Sequence, residues 1–149
     1  MGVETQTLDT KGTSLKVSDY VHLHNHTHHS LLDGLSKIPK LVETVQNMGM
    51  EAVAITDHGT MSGVLDFYKA ANAAGVKPIL GMEAYVAARS RHDRDPQKDK
   101  GRYHLIILAM NNTGYQNLMR LSTTANLEGM YYKPRIDREL LEKYNEGLI

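Results

Sequence analysis

Ala52-Val53-Ala54-Ile55 is an unbroken apolar run between two stretches of helical periodicity, and it constrains the fold more than any other feature. A strand that is apolar at every position has both faces covered, as a parallel strand does beneath crossover helices. Before it, Ile38, Leu41, Val42, Val45 and Met48 follow helical spacing, with Ser36 as N-cap, Pro39 in the first turn and Gly49 as the stop. After it, Asp57-His58-Gly59 reads as a turn. Residues 62–74 read as a second helix, with Val64, Leu65, Tyr68 and Ala71 on one face and Gly75 as its stop. Further strands are predicted at 20–24, 78–86 and 103–109, with a charged loop at 89–102. Thr113 is read as the cap of a third helix, and Asp137 as the cap of a last one that runs through Tyr144. Residues 147–149 read as the start of another strand. The β-α-β-α-β order implies parallel strands joined by right-handed crossovers. Residues 1–18, polar and rich in Thr, Ser and Gly, read as a flexible leader to a single α/β unit at 19–149.

Composition removes several classes of function. At 149 residues the chain is about one domain long. Lys plus Arg equals Asp plus Glu at 17 each, so no global charge draws it to nucleic acid or an anionic membrane. There is no cysteine, which excludes disulfides and thiolate metal sites. No apolar run reaches the roughly 18 residues of a membrane span, and the polar start has no apolar signal core. The reading is a cytoplasmic protein without membrane partners, whose metal ligands would be His, Asp, Glu and water.

The eight histidines are unevenly spread. His22, His24 and His26 alternate, and alternate side chains of a strand share one face. Three imidazoles on one face suit a shared metal cluster. His28 and His29 break the alternation and read as exposed loop residues. Asp33 precedes Gly34 in the loop that follows, and is either a turn residue or a ligand. Thr56-Asp57-His58-Gly59 follows the apolar strand at its carboxyl end, where ligands collect in α/β folds. His58 is placed there as a ligand. Asp57 is placed as a further ligand or as an acceptor that orients a neighbouring imidazole. Glu83 lies in an otherwise apolar strand and needs either a metal, which it could share between two ions, or a cationic partner. His104 opens its strand rather than closing it. It reaches the others if the strand at 78–86 turns through the 89–102 loop and returns beside Glu83. That loop, with six basic and three acidic residues, is a solvated mixed-charge segment or a DNA contact. Tyr131-Tyr132-Lys133-Pro134-Arg135 combines aromatic and basic residues, as a nucleic-acid contact or a packing surface would.

The block His24-Asn25-His26-Thr27-His28-His29-Ser30-Leu31-Leu32-Asp33-Gly34 resembles the first motif of the PHP (polymerase and histidinol phosphatase) domain, and Ala54-Ile55-Thr56-Asp57-His58-Gly59 its second. Four further segments are similar to the form of this domain that opens bacterial replicative DNA polymerase III alpha subunits. They are Phe67-Tyr68-Lys69-Ala70-Ala71, the run from Lys77 to Val86, the run from Asn112 to Leu118, and the run from Tyr131 to Asp137. The resemblance implies the first part of a distorted, truncated (β/α)7 barrel, with its first four strands and their helices in 19–149. It implies His24, His26, Asp33, His58, Glu83 and His104 as ligands of two or three divalent ions, zinc or manganese, with His22 adjoining. It also implies metal-dependent phosphoester hydrolysis, as 3′–5′ trimming of a primer end, or a structural metal site that scaffolds the polymerase. A free-standing phosphatase is a third reading. Implied partners are DNA reached through the parent polymerase, its remaining domains, and other replisome subunits including an exonuclease. Further ligands are supplied later in the family, so the 149 residues alone are expected to bind metal weakly and hydrolyse little.

Overall fold

The computed structural model describes residues 7–8, 14–16, 19–31 and 33–149. Within the stretch read as a leader, β1 (Thr7–Leu8) and β2 (Ser14–Leu15) pair antiparallel. Most of the remainder of that leader lies outside the described residues.

The principal sheet is built around one long strand. β3 (Ala52–Ile55) is buried at every position, as its unbroken apolar run predicts. It pairs in parallel with the first residues of β4 (Lys77–Ala87), from Ala52 opposite Lys77 to Ile55 opposite Leu80. β5 (Arg102–Leu108) then runs antiparallel to β4, with Glu83 opposite Ile106 and Tyr85 opposite His104. This is the return beside Glu83 that His104 requires, while β3 and β4 are parallel as the alternating order predicts. The connection from Ala87 to Arg102 carries no crossover helix of the kind that usually joins parallel strands. β7 (Lys133–Ile136) pairs in parallel with Tyr85 and Val86 of β4, and β6 (Met130–Tyr131) pairs antiparallel with β7. The β6–β7 hairpin turns at Tyr132, whose φ is 60°.

Two apolar cores flank this sheet. α1 (Ile38–Asn47) and α2 (Val64–Ala73) place Ile38, Val42, Val45, Val64, Phe67 and Ala71 against Val53 and Ile55. α3 (Asn112–Leu127) and α4 (Arg138–Lys143) place Leu118, Leu121, Ala125 and Leu140 against Met82, Ala84, Ile107 and Ile136. Burying each Val, Ile, Leu, Met or Phe among them contributes on the order of 1.5–3 kcal/mol. Met82 and Ala84 face α3, so the intervening Gly81, Glu83 and Tyr85 face the other way.

Helix caps differ from expectation in two of three cases. The N-cap of α1 is Lys37, without a side-chain hydrogen bond, because the Ser36 backbone is bridged to Thr27 and accepts from the His28 amide. α3 is capped by Asn111 rather than Thr113, its side chain accepting from the Gly114 amide. Asp137 caps α4 as read, accepting from the Leu140 amide. Residues 20–24 do not form a regular strand. His22 makes an isolated parallel bridge to Val53, and the Ala54 and Thr56 amides donate to the His22 and Asn25 carbonyls. The Asn25 side chain donates to the His22 and Ala54 carbonyls, taking acceptors that a continued ladder would use. At the other end, the Leu108 and Ile149 backbones exchange hydrogen bonds, so 147–149 does begin a strand-like pairing, antiparallel to β5.

The charged loop is folded onto the body rather than solvated throughout. Arg135 is 1% exposed, and its guanidinium donates to the carbonyls of Gly129, Arg91, Asp93 and Asp99. Arg89 binds Asp99 through two parallel hydrogen bonds of 2.8 and 2.6 Å, and Arg91 pairs with Asp137 and Glu128. Arg135, Arg91 and Asp99 hold the loop in place and are not free to meet DNA.

Candidate metal centre

Four separate chain segments deliver side chains to one cleft. The extended segment beside β3 presents His24 and His26, the two alternate positions of the histidine run. The loop that follows is closed by Ser30 N donating to the Thr27 carbonyl and by the Asp33 and Gly34 amides donating to the Ser30 carbonyl, and it presents Asp33. Gly34 is required there: a Cβ would fall on the Thr27 carbonyl. The turn after β3 presents His58, whose amide donates to Ser30 Oγ at 2.9 Å. Gly59 completes that turn at φ 61°, and its amide donates to the Glu83 carbonyl. The antiparallel return of β5 brings His104 onto the face of β4 that carries Glu83 and Tyr85.

Glu83 is the hub. It is 4% exposed. Its Oε2 lies 2.5 Å from His24 Nε2 and 2.7 Å from His26 Nε2, while Oε1 contacts His104 Nδ1. Asp33 Oδ2 lies 2.7 Å from His26 Nδ1 and 2.8 Å from His58 Nε2. Three overlapping sets of ligand atoms result: His24, His26 and Glu83; His26, Asp33 and His58; and His58, Glu83 and His104. His26, His58 and Glu83 each belong to two sets.

Burial alone would raise the Glu83 carboxyl, but hydrogen bonds from His104, His26 and His24 outweigh it and hold the group at about 2. A hydrogen bond from His26 keeps Asp33 below the usual carboxylate range. Burial opposes charging of His26, yet Asp33 and Glu83 raise its pKa overall. Burial dominates at His58 and lowers it, favouring the neutral imidazole. The donor set is therefore charged carboxylate and imidazole, the chemistry that suits zinc, manganese or iron. His58 Nδ1 supplies a test of fit. It is buried, has no hydrogen-bond partner, and lies 3.6 Å from Glu83 Oε1, too far for a hydrogen bond. An unpaired buried nitrogen beside a carboxylate oxygen fits a cation, which would satisfy both if bound between them.

The structure brings together His24, His26, Asp33, His58, Glu83 and His104 and leaves two other candidates outside. The His22 ring packs edge-on against Tyr20, with centroids 4.7 Å apart, and belongs to none of the three sets. The Asp57 carboxylate, 1% exposed, accepts from the Thr27 amide at 2.5 Å and the Thr27 hydroxyl at 2.7 Å, and so faces the 27–34 loop instead of an imidazole. Tyr85 was missed. Its ring stacks on His58 at 5.6 Å with an interplanar angle of 13° and meets His104 edge-on at 4.9 Å. Its signal was present, since it lies two residues beyond Glu83 on the same strand. Ser30 carried no such signal.

Comparison with known proteins shows the family of the chain. The model of the PHP domain family matches residues 22–149. DNA polymerase III subunit alpha of Treponema pallidum is 56% identical over 131 residues, covering 87% of this chain and 11% of the relative. The same subunit of Thermus aquaticus is 54% identical over 142 residues, covering 93% of this chain and 11% of the relative. The chain thus spans about a tenth of the length of the curated relatives it matches. An amidohydrolase from Chromobacterium violaceum shares the fold, with a TM-score of 0.52 and 19% identity over 70% of this chain and 32% of its own.

Proposed function

The chain belongs to the PHP domain family, and from that premise we propose that its cluster binds two or three divalent ions, zinc or manganese, and hydrolyses phosphoesters within a replicative DNA polymerase. The observation that supports this best is the convergence of six ligand-type side chains, Glu83 among them, on one cleft, with His58 Nδ1 buried and unpartnered. Clustered divalent ions lower the pKa of bound water and neutralise phosphate oxygens. The chain's own residues do the rest. Glu83 offers one oxygen to His24 and His26 and the other toward His104 and His58, so it can serve two ions at once. Asp33 orients His26 and His58 and stands half exposed at the mouth of the cleft. Tyr85 and Pro134 line the cavity beside the cluster. In the parent protein the reaction is 3′–5′ removal of a mismatched primer end, with DNA, the other polymerase domains and further replisome subunits, including an exonuclease, as partners, in the cytoplasm. The 149 residues alone hydrolyse little.

A second reading is favoured by one feature. The cluster ties the 24–33, 57–59, β4 and β5 segments together, so its ions would also staple the fold and scaffold the polymerase without trimming. Substituting His24→Ala and His58→Ala in the full-length protein separates the two. Lost trimming with intact folding supports catalysis; lost folding supports the staple. Trimming that survives both substitutions contradicts the proposal.

A further inference from the structure

A cavity of about 360 Å³ opens beside the cluster, and its lining includes Asp33, His58, Thr60, Tyr85, Lys133 and Pro134. Lys133 is exposed, and its Nζ lies 5.6 Å from the centroid of the Tyr85 ring. Arg102 stands at the same distance from that ring. Among the described residues, the ion pairs made by lysines and arginines involve Lys40, Arg89, Arg91 and Arg138, and Lys133 takes part in none of them; Arg102 donates from Nη1 to the Lys100 carbonyl at 3.4 Å. The other basic residue of the hairpin, Arg135, is spent on backbone carbonyls in the interior.

The placement of Lys133 is enforced rather than incidental. It follows Tyr132, the single non-glycine residue with positive φ among those described. That conformation is costly for a bulky side chain and persists where surrounding structure imposes it, commonly at functional sites. Here the tight turn between β6 and β7 imposes it. The next residue, Pro134, lies against Gly59, so closely that a Cβ on Gly59 would meet Pro134 Cγ at 2.8 Å. The hairpin that carries Lys133 is thereby locked to the turn that carries His58.

We infer that Lys133 is the phosphate contact of this site, holding oxygens of the substrate that face away from the metal cluster. This rests on the metal reading above. Two carboxylates do not balance two or three divalent ions, so the loaded cleft attracts an anion. Oxygens of a phosphate that point out of the cluster need a donor elsewhere in the cavity lining, and Lys133 supplies one. Lysine binds phosphate as a point charge through rotatable donors.

The test uses the full-length protein loaded with manganese, and inorganic phosphate as the probe. Phosphate affinity is read from phosphorus NMR line broadening, and metal content by elemental analysis. Lys133→Ala is expected to weaken phosphate binding about tenfold or more with metal content unchanged. Lys133→Arg should retain most of the affinity, which shows that charge and not packing is responsible. Wild-type phosphate affinity in a metal-loaded Lys133→Ala protein overturns this inference alone. A wild-type protein that takes up no divalent metal overturns it together with the metal reading.

Discussion

Asp57 offers the most discriminating perturbation, because the sequence places it beside a ligand while the structure turns it away. Its carboxylate accepts two hydrogen bonds from Thr27, one from the amide and one from the hydroxyl, and both residues are essentially inaccessible to water. Hydrogen bonds to a charged group contribute about 1.5–3 kcal/mol each, and an abandoned buried donor costs about 1–3 kcal/mol. Asp57→Asn keeps one acceptor oxygen and loses the other, a cost of about 2–3 kcal/mol. A local opening of that size accelerates amide exchange roughly 30- to 150-fold. The assay is hydrogen exchange by mass spectrometry in the full-length protein, read on peptides spanning 25–36 and 52–60. Thr27→Val should reproduce part of the effect. Combining the two substitutions should cost less than their sum, because they remove one shared interaction. Metal affinity should fall with the same substitutions, since the loop they loosen carries Asp33. If Asp57→Asn changes metal binding while the 25–36 peptide stays fully protected, Asp57 acts on the ions directly and this account of it is wrong.

Gly34→Ala drives a methyl group into the Thr27 carbonyl, so the 27–34 loop must shift. About 1–3 kcal/mol of local stability and a measurable part of the metal affinity should go with it, whereas wild-type metal content and protection would contradict the stated role of the glycine. Arg135→Lys abandons several of the four carbonyls that the guanidinium serves. It should destabilise the 89–99 loop by about 3–5 kcal/mol, seen as proteolytic nicking there that is absent from the wild type. At Asp137, burial acts to raise the pKa, but amide donation from Arg91 and Leu140 and the charge of Arg91 hold it below the usual value. A depressed carboxyl stabilises fully above its unfolded pKa of about 3.9 and loses that contribution as pH falls through its folded value. Exchange protection of α4 and the 89–99 loop should therefore drop together below about pH 4. The drop should be blunted in Asp137→Asn, and identical acid profiles would contradict it.

The parts of the fold that announce themselves are those whose periodicity is set by burial. The apolar run at 52–55, the helices at 38–47 and 64–73, and the strands at 77–87 and 102–108 all follow from where apolar side chains recur. The cap errors at Ser36 and Thr113 arose because several polar residues compete for each helix start, and tertiary bonds decide among them. The β6–β7 hairpin escaped notice because its turn residue is Tyr132, not the glycine or asparagine that such turns favour. Within the site, His104 was placed beside Glu83 from the need of its strand to return, and the β4–β5 register places it opposite Tyr85. The fate of His22 could not be read, because alternation predicts a shared face only while the ladder is regular. Asn25 interrupts that ladder with its own side chain.

The central claim is that the cluster around Glu83 is a metal centre, and its most direct test is metal stoichiometry. Elemental analysis of the full-length protein, after dialysis against metal-free buffer, should find two or three divalent ions per chain. Glu83→Gln should lose most of them while circular dichroism stays that of the wild type, because Glu83 alone reaches His24, His26 and His104. Metal content indistinguishable from background in the wild type, or equal in wild type and Glu83→Gln, would contradict the claim.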